Sequence, residues 1–225
     1  MFTKKIWFWT LVLGLPWMLF PQSGRAIGFE AAVGISLQNP QGGVGYKGDS
    51  LDLNNDLKYS SYTQFFGRAK IELPLIIPNL YLMGTPLRFE GTGTKNTPFK
   101  FGDQTFNADT PFSSTLKLDH YDLAFYYGVP FIKQAALGKF NIDLGLNLRV
   151  FDLKAEVTQG GNLESKGYYL PIPMVYLGIQ AKPIDLLTLE GEIRAISYSS
   201  NQFIDLIGRV KYNLFGVAFV SAGYR

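Results

Sequence analysis

An alternation of apolar and polar side chains runs through most of this chain and restricts its fold more than any other feature. It is clearest from Phe140 to Phe151, where every even position is apolar and most odd positions are polar or glycine. Successive side chains of a strand point to opposite faces, so this segment predicts a β-strand with one apolar and one largely polar face. The same period of two predicts nine strands after residue 26, the ninth from Val217 to Tyr224.

The predicted connections between these strands differ in length from one end of the sheet to the other. Three are short and a fourth is of medium length: residues 74–79, 182–186, 213–216 and 128–139. Three are long and polar: residues 38–60, 92–114 and 158–167. Only residues 199–202 break this order. Short turns at one rim and long loops at the other are typical of an outer-membrane β-barrel.

A soluble periplasmic β-sandwich also has strands of alternating polarity and remains an alternative. Strand length is the feature that distinguishes a membrane barrel from it. The predicted strands run to about 10 to 12 residues, as a tilted bilayer crossing requires, whereas strands of globular proteins usually have about 5 to 6. Aromatic residues such as Tyr126, Tyr127, Tyr168 and Tyr169 gather at strand ends, as in the girdles at a membrane interface. We therefore predict an all-β, antiparallel up-and-down transmembrane barrel in the cell outer membrane.

The first 26 residues have the layout of a secretory signal peptide. Lys4 and Lys5 precede an uncharged run of 15 residues from Ile6 to Phe20, too short for a spanning helix, and Gly24-Arg25-Ala26 follows. Cleavage is expected between Ala26 and Ile27, which leaves residues 27–225 as one barrel domain. An uncleaved membrane anchor is the alternative. The chain has no cysteine, so neither disulfides nor thiol chemistry is expected.

The charge of the predicted mature chain bears on its partners. Residues 1–26 hold three of the 21 basic residues and none of the 18 acidic ones, so the remainder has a formal net charge of zero. A nucleic-acid-binding role lacks its usual basic surface. The expected partners are outer-membrane lipid and the barrel assembly machinery, with no cofactor, and the sequence leaves the oligomeric state open.

Charged residues recur on the predicted polar faces and are expected to form a network in the lumen. In the third strand, for example, Tyr81, Met83 and Phe89 are assigned to lipid, and Arg88 and Glu90 to the lumen. The interior of a small barrel is filled by side chains, so the network predicts either a plugged lumen or a narrow polar pore. Its predicted members are Glu30, Arg68, Lys70, Glu72, Arg88, Glu90, His120, Asp122, Asp143, Arg149, Glu190, Glu192, Arg194, Arg209 and Lys211.

Two other groups of residues are candidates for chemistry. His120, the only histidine, lies near Asp122 and is the candidate base of a barrel hydrolase acting on lipid or peptide. No paired motif supports that role, so a structural histidine is favoured and no catalytic residue is assigned. The loop residues Asp49, Asp52, Asn54, Asn55 and Asp56 do not have the spacing of a calcium loop, so a solvated loop is favoured and no metal site is predicted.

Four short motifs, in order and spacing, resemble the GlyGly-type family of bacterial outer-membrane β-barrel proteins. They are Tyr46-Lys47-Gly48-Asp49, Tyr121-Asp122-Leu123 with Tyr126-Tyr127-Gly128, Pro171-Ile172-Pro173-Met174 and Ala195-Ile196-Ser197-Tyr198. The resemblance implies a barrel without an established enzymatic activity. Bacterial single-chain barrels have an even number of strands, so nine strands predict that a tenth is absent and that the first and ninth have unpaired edges. The function expected is a structural or narrow-pore role.

Overall fold

The computed structural model describes residues 9–13, 27–74, 77–215 and 217–225. Most of this part of the chain is antiparallel β-structure. In chain order the elements are β1 (Trp9–Leu13), β2 (Gly28–Gln38), β3 (Gly43–Gly45), β4 (Ser50–Asp52), β5 (Tyr62–Glu72), β6 (Asn79–Thr85), β7 (Arg88–Gly93), β8 (Phe99–Phe101), β9 (Gln104–Phe106), β10 (Phe112–Gly128), α1 (Ile132–Ala135), β11 (Phe140–Gln159), β12 (Asn162–Ile184), β13 (Leu187–Tyr198), β14 (Asn201–Asn213) and β15 (Phe219–Tyr224). None of the helical structure described is long and apolar enough to cross a membrane.

The main sheet closes on itself and forms a transmembrane-type barrel. Neighbours follow the order β10, β11, β12, β13, β14, β15, β1, β2, β5 and β6, and β6 pairs with β10 again. β7 continues the path of β6 along β10, from His120 opposite Thr85 to Lys117 opposite Arg88. The predicted antiparallel up-and-down barrel is therefore confirmed, with nine wall strands between residues 28 and 224, and the two-sheet sandwich is excluded.

The predicted signal peptide and its cleavage after Ala26 lie outside the described residues, apart from the short segment β1. The backbone of β1 pairs with β15, as at Thr10 and Gly223, and with β2, as at Trp9 and Leu37. Nine strands of alternating direction leave β2 and β15 running the same way, so a strand between them must run opposite to both, as β1 does. The first and ninth wall strands, β2 and β15, are therefore each paired with β1 over these registers.

The two faces of the wall differ as the alternation predicts. On β11, Leu144, Leu146 and Leu148 are exposed on the outside, whereas Asn147 and Arg149 are buried inside. A row of apolar side chains on the outer face and charged side chains on the inner face is the reverse of a soluble protein. The outer surface at this level is therefore suited to lipid, and we call it the apolar band.

The apolar band ends partway along the three longest strands. On the outer face of β10 and β11 the residues change from Tyr121 and Leu148 to Lys117, Asp152 and Lys154, with an ion pair between Lys117 and Asp152. Charged outer residues indicate that this upper part of the wall is in water. The predicted loop 158–167 is wrong, because β11 continues to residue 159 and β12 begins at residue 162, joined through two glycines with φ of 56° and 98°.

The long connections fold into a compact region above the band, which we call the cap (residues 39–61, 86–119 and 151–170). Phe99 and Phe106 stack at 5.1 Å in the hairpin of β8 and β9, which forms a separate two-stranded sheet outside the barrel wall. Backbone hydrogen bonds join the cap segment 39–61 to the cap segment 86–119. For example, Asp49 N donates to Lys100 O at 2.8 Å. The buried apolar core of the cap consists of Leu51, Leu53, Leu57, Tyr59, Phe89, Phe99, Phe101, Phe106, Phe112, Leu116 and Val157.

Candidate functional site in the barrel lumen

Two arginines, a lysine and two glutamates form the lower half of the lumen network, nearer the short turns. Arg68 Nη2 lies 2.8 Å from Glu30 Oε1 and 3.4 Å from Glu190 Oε2. Lys211 Nζ donates to Glu30 at 2.7 Å and to Glu190 at 3.0 Å, and Arg209 Nε donates to Glu190 at 3.2 Å. Each carboxylate therefore has several cationic partners, as burial inside a barrel requires.

The upper half of the network is centred on Asp122 and Asp205. Arg149 binds Asp122 with two parallel hydrogen bonds of 2.8 Å and also contacts Asp205. Asn147 donates to Asp122 at 2.7 Å. Arg225 donates to both carboxylate oxygens of Asp205, at 2.8 and 2.7 Å. Two-pronged arginine–carboxylate pairs fix orientation as well as charge, so this layer is held across the lumen from β10 to β14.

Arg194 joins the two halves and is fully buried. Its Nη2 donates to Glu192 at 2.9 Å, and it lies 3.9 Å from the carboxylates of Asp122 and Asp205. Its guanidinium also lies 4.9 Å from the ring centre of Tyr81 and 5.3 Å from that of Tyr176. Both distances are within the range of cation–π attraction. The two tyrosines thus hold a charge between the ion-pair layers.

Most of the predicted lumen residues are brought together in this network, although Glu72 and Asp143 lie outside its ion pairs. Arg88 and Glu90 do not face the lumen. Their side chains are about 60% exposed, at 59% and 62%, and pair with each other at 2.7 Å on the outside of β7. The assignment was wrong because β7 stands above the apolar band, where the inner face packs on the cap core and the outer face meets water. Phe89, assigned to lipid, is accordingly buried in the cap core. Tyr81 and Met83 were also assigned to lipid, but on β6 they are buried in the lumen and Leu82 is exposed on the outer face instead.

Four network residues are absent from the predicted lumen set: Asp205, Asn147, Tyr176 and Arg225. Alternation places Asp205 on the same face as Arg209 and Lys211 of β14, and Asn147 on the polar face of β11 with Arg149, but neither was included in the set. Arg225 shares the inward parity of Ser221 on β15, but it follows the last strand residue, where a pattern of period two no longer predicts direction. The inward position of Tyr176 could not be predicted from the sequence, because the alternation rule counts an aromatic residue as apolar and assigns it to the lipid face.

His120 is buried against Phe151, with ring centres 5.3 Å apart. Its Nδ1 lies 3.1 Å from the carbonyl oxygen of Leu118, and its Nε2 lies 2.7 Å from Nη2 of Arg225. A carbonyl only accepts and a guanidinium only donates, so Nδ1 carries the proton and Nε2 accepts from arginine. Both ring nitrogens are thereby engaged, which gives His120 an orienting role among the upper ion pairs.

The acidic loop of the cap is built from local hydrogen bonds. Asp52 Oδ1 accepts the backbone amides of Asn54 at 3.0 Å and Asn55 at 2.7 Å. Asp56 Oδ2 accepts the amide of Asp52 at 2.9 Å and the ammonium of Lys95 at 3.0 Å. Burial raises the pKa of Asp56, but these two donors outweigh it and hold the pKa below its usual value. Among the described residues, no group of acidic or histidine side chains is arranged to hold a metal ion.

A vestibule of about 210 Å³ opens beneath the network at the short-turn end of the barrel. Lys70 lies between this space and the network, with its Nζ 3.5 Å from Glu192. Glu72 is exposed at the rim, and Asp143 is half-buried in the wall. The vestibule is therefore the part of the lumen that a small molecule can enter. Its lining is Gly28, Phe29, Glu30, Lys70, Glu72, Tyr126, Asn141, Asp143, Gly178, Ile179, Gln180, Glu190, Gly191 and Glu192.

Neither a protein-family model nor a curated protein sequence matches this chain, so the GlyGly-type resemblance stays a prediction. Among solved structures, the chain is similar to Ail, the attachment invasion locus protein of Yersinia pestis, determined in complex with the heparin analogue sucrose octasulfate. The two are 10% identical over 97% of each chain, with a TM-score of 0.36. The barrel assignment rests on the strand order and the two faces described above.

Proposed function

We propose that this protein is an integral outer-membrane β-barrel whose lumen is closed to solutes and which acts through the cap it carries outside the bilayer. The observation that carries the proposal is the filled lumen. Arg149 and Arg194 are both essentially inaccessible to solvent, at 1% and 0% exposure, and their ion pairs reach across the barrel from β10 to β14. Moving a solute past them requires breaking buried ion pairs, which is costly.

The membrane location is supported by the outer face. Leucines of β11 and apolar residues of β10 and β14, such as Phe125 and Leu206, are exposed at the level of the network. Backbone groups in hydrocarbon must all pair within the structure, and a closed sheet achieves this. The apolar outer face and the closed sheet favour outer-membrane lipid as the surroundings and the barrel assembly machinery as the route of insertion.

The cap is suited to presenting a fixed surface. Its phenylalanine-rich core is independent of the lipid-facing residues, and the glycines at 91 and 93 of β7 leave room for the backbone of the 53–59 loop to approach closely. Polar loops with few buried contacts are mobile, whereas this region has its own packed interior. A barrel that anchors such a region supports binding outside the membrane better than transport.

A narrow pore is the second candidate, and the vestibule is the observation in its favour. It extends the accessible lumen from the short-turn rim to the level of Glu190 and Glu192. There, however, Lys70 and Arg209 meet these glutamates. A cavity of about 20 Å³ on the other side of the network, beside Thr85 and Arg225, has room for about one water molecule. The geometry therefore favours the closed barrel over the pore.

Planar-bilayer recording tests the closed lumen directly. Refolded full-length protein is expected to insert without producing stable single-channel conductance steps, because the ion pairs of the network span the lumen enclosed by the described strands. Insertion is checked separately by the faster gel mobility of the unheated, folded barrel. Reproducible conductance steps from protein shown to be folded contradict the closed barrel and favour the narrow pore.

A further inference from the structure

The vestibule contains a recess in its wall at Gly178, which faces the lumen on β12 and is buried. A Cβ placed on Gly178 would lie 2.9 Å from the hydroxyl oxygen of Tyr176 and 3.4 Å from Oδ2 of Asp143. The absence of a side chain at this position therefore leaves a small space that is bordered by two oxygen atoms, one from β12 and one from β11.

The hydroxyl of Tyr176 has no hydrogen-bond partner within the described part of the chain, although the residue is fully buried. An unpaired buried hydroxyl costs free energy, and such a group calls for an occupant that the protein itself does not supply. The Tyr176 ring is fixed by its contacts with Tyr81, Tyr126 and the guanidinium of Arg194. The hydroxyl is thus held in place at the recess.

The charge at the recess is negative. Asp143 Oδ1 accepts a hydrogen bond from Asn141 at 2.7 Å, which leaves Oδ2 on the side of Gly178. In the described structure, neither Asp143 nor Glu72 belongs to an ion pair, whereas Glu192 is paired with Lys70 and Arg209. Two carboxylates outside the ion pairs therefore lie along the route from the rim to the recess, where the charge of Lys70 also acts on Asp143.

We propose that this recess binds the primary ammonium group of a small organic amine that enters from the short-turn rim. An ammonium offers three hydrogen-bond donors, and Asp143 Oδ2 and Tyr176 Oη are acceptors for two of them. The vestibule has room for about seven water molecules, enough for the carbon chain of a short diamine. A bare metal ion fits less well, because the described residues form no cluster of metal ligands.

Isothermal titration of the refolded full chain with 1,4-diaminobutane at constant ionic strength tests the site. Saturable binding is expected for the parent protein. Asp143→Asn should weaken it about tenfold or more, as expected when a charged hydrogen bond is lost. Tyr176→Phe should weaken it several-fold. Gly178→Ala, which fills the recess and leaves every charge in place, should also weaken it.

Asp185→Asn is the matched control, because Asp185 is an exposed carboxylate on the adjoining turn and outside the vestibule lining. It should bind the diamine as the parent does. Each variant is first shown to be folded by its gel mobility. The proposal is overturned if the parent shows no saturable binding, if folded Asp143→Asn and Gly178→Ala bind like the parent, or if Asp185→Asn weakens binding equally. None of these results bears on whether the lumen conducts.

Discussion

Replacing Arg194 with alanine is expected to lower the free energy of unfolding by about 3 to 5 kcal/mol, the usual cost of removing one partner from a buried ion pair. Arg194 is fully buried, and its loss leaves Glu192 without its 2.9 Å partner and removes the cation between Asp122 and Asp205. It also leaves the rings of Tyr81 and Tyr176 facing an empty space. Urea unfolding in lipid vesicles, followed by circular dichroism, measures the loss.

Arg88→Ala provides a closely matched control. Arg88 also pairs with a glutamate two residues away, at 2.7 Å, but the side chains of both residues are largely exposed to water on β7. Exposed ion pairs contribute about 0 to 1 kcal/mol, so this variant should unfold nearly as the parent does. Equal losses for the two arginines would contradict the view that the lumen network, and not surface charge, stabilises the barrel.

Introducing a charge into the apolar band is expected to have the second large effect. Leu146 is 69% exposed on the outer face of β11, at the level of the lumen network. An arginine at the bilayer midplane of a barrel costs about 2 to 4 kcal/mol, so Leu146→Arg should lower the free energy of unfolding by that amount. The measurement is the same urea unfolding in vesicles.

Leu163→Arg is the control for this substitution. Leu163 is similarly exposed, at 55%, but it lies on β12 in the cap, where we place the surface in water. Surface substitutions of this kind usually change stability by about 0.5 kcal/mol or less. If Leu163→Arg were as destabilising as Leu146→Arg, or if Leu146→Arg were harmless, the boundary between apolar band and cap would be misplaced.

The sequence predicted the fold well where one rule holds along a whole strand. On β11, β13 and β14 the alternation separates Leu146 from Asn147 and Leu206 from Asp205, and the structure keeps this separation. The rule has a simple physical basis, because both the lipid and the lumen impose a period of two on the same backbone. The charged residues of these strands can therefore be assigned to one face from their positions in the sequence alone.

The same rule failed where the surroundings of the wall change along a strand. Above the band the outer face meets water and the inner face packs on the cap core, so Arg88 points outward and Phe89 inward. Alternation divides a strand into two faces, but it does not tell which of the two faces is exposed to water. The recess at Gly178 was also unpredictable, because it depends on Tyr176 and Asp143 meeting across two strands.

The long hairpin at the top of β11 and β12 illustrates a third limit. Its residues are polar and include two adjacent glycines, so the sequence favours a loop from residue 158 to 167. The structure instead continues the ladder through Glu156 and Ser165, whose side chains are joined at 3.1 Å, up to a two-residue turn. Polar strands in water lack the apolar face by which strands are usually recognised.

The most direct test of a lipid-embedded barrel with a water-exposed cap is collision accessibility of spin labels along the outer face of β11. The chain has no cysteine, so single cysteines at Leu144, Leu146, Leu148, Lys154 and Glu156 can each be labelled in protein reconstituted into vesicles. The first three labels are expected to be reached by oxygen and shielded from a water-soluble nickel chelate, and the last two the reverse. Chelate access at all five positions would contradict the membrane placement of the barrel.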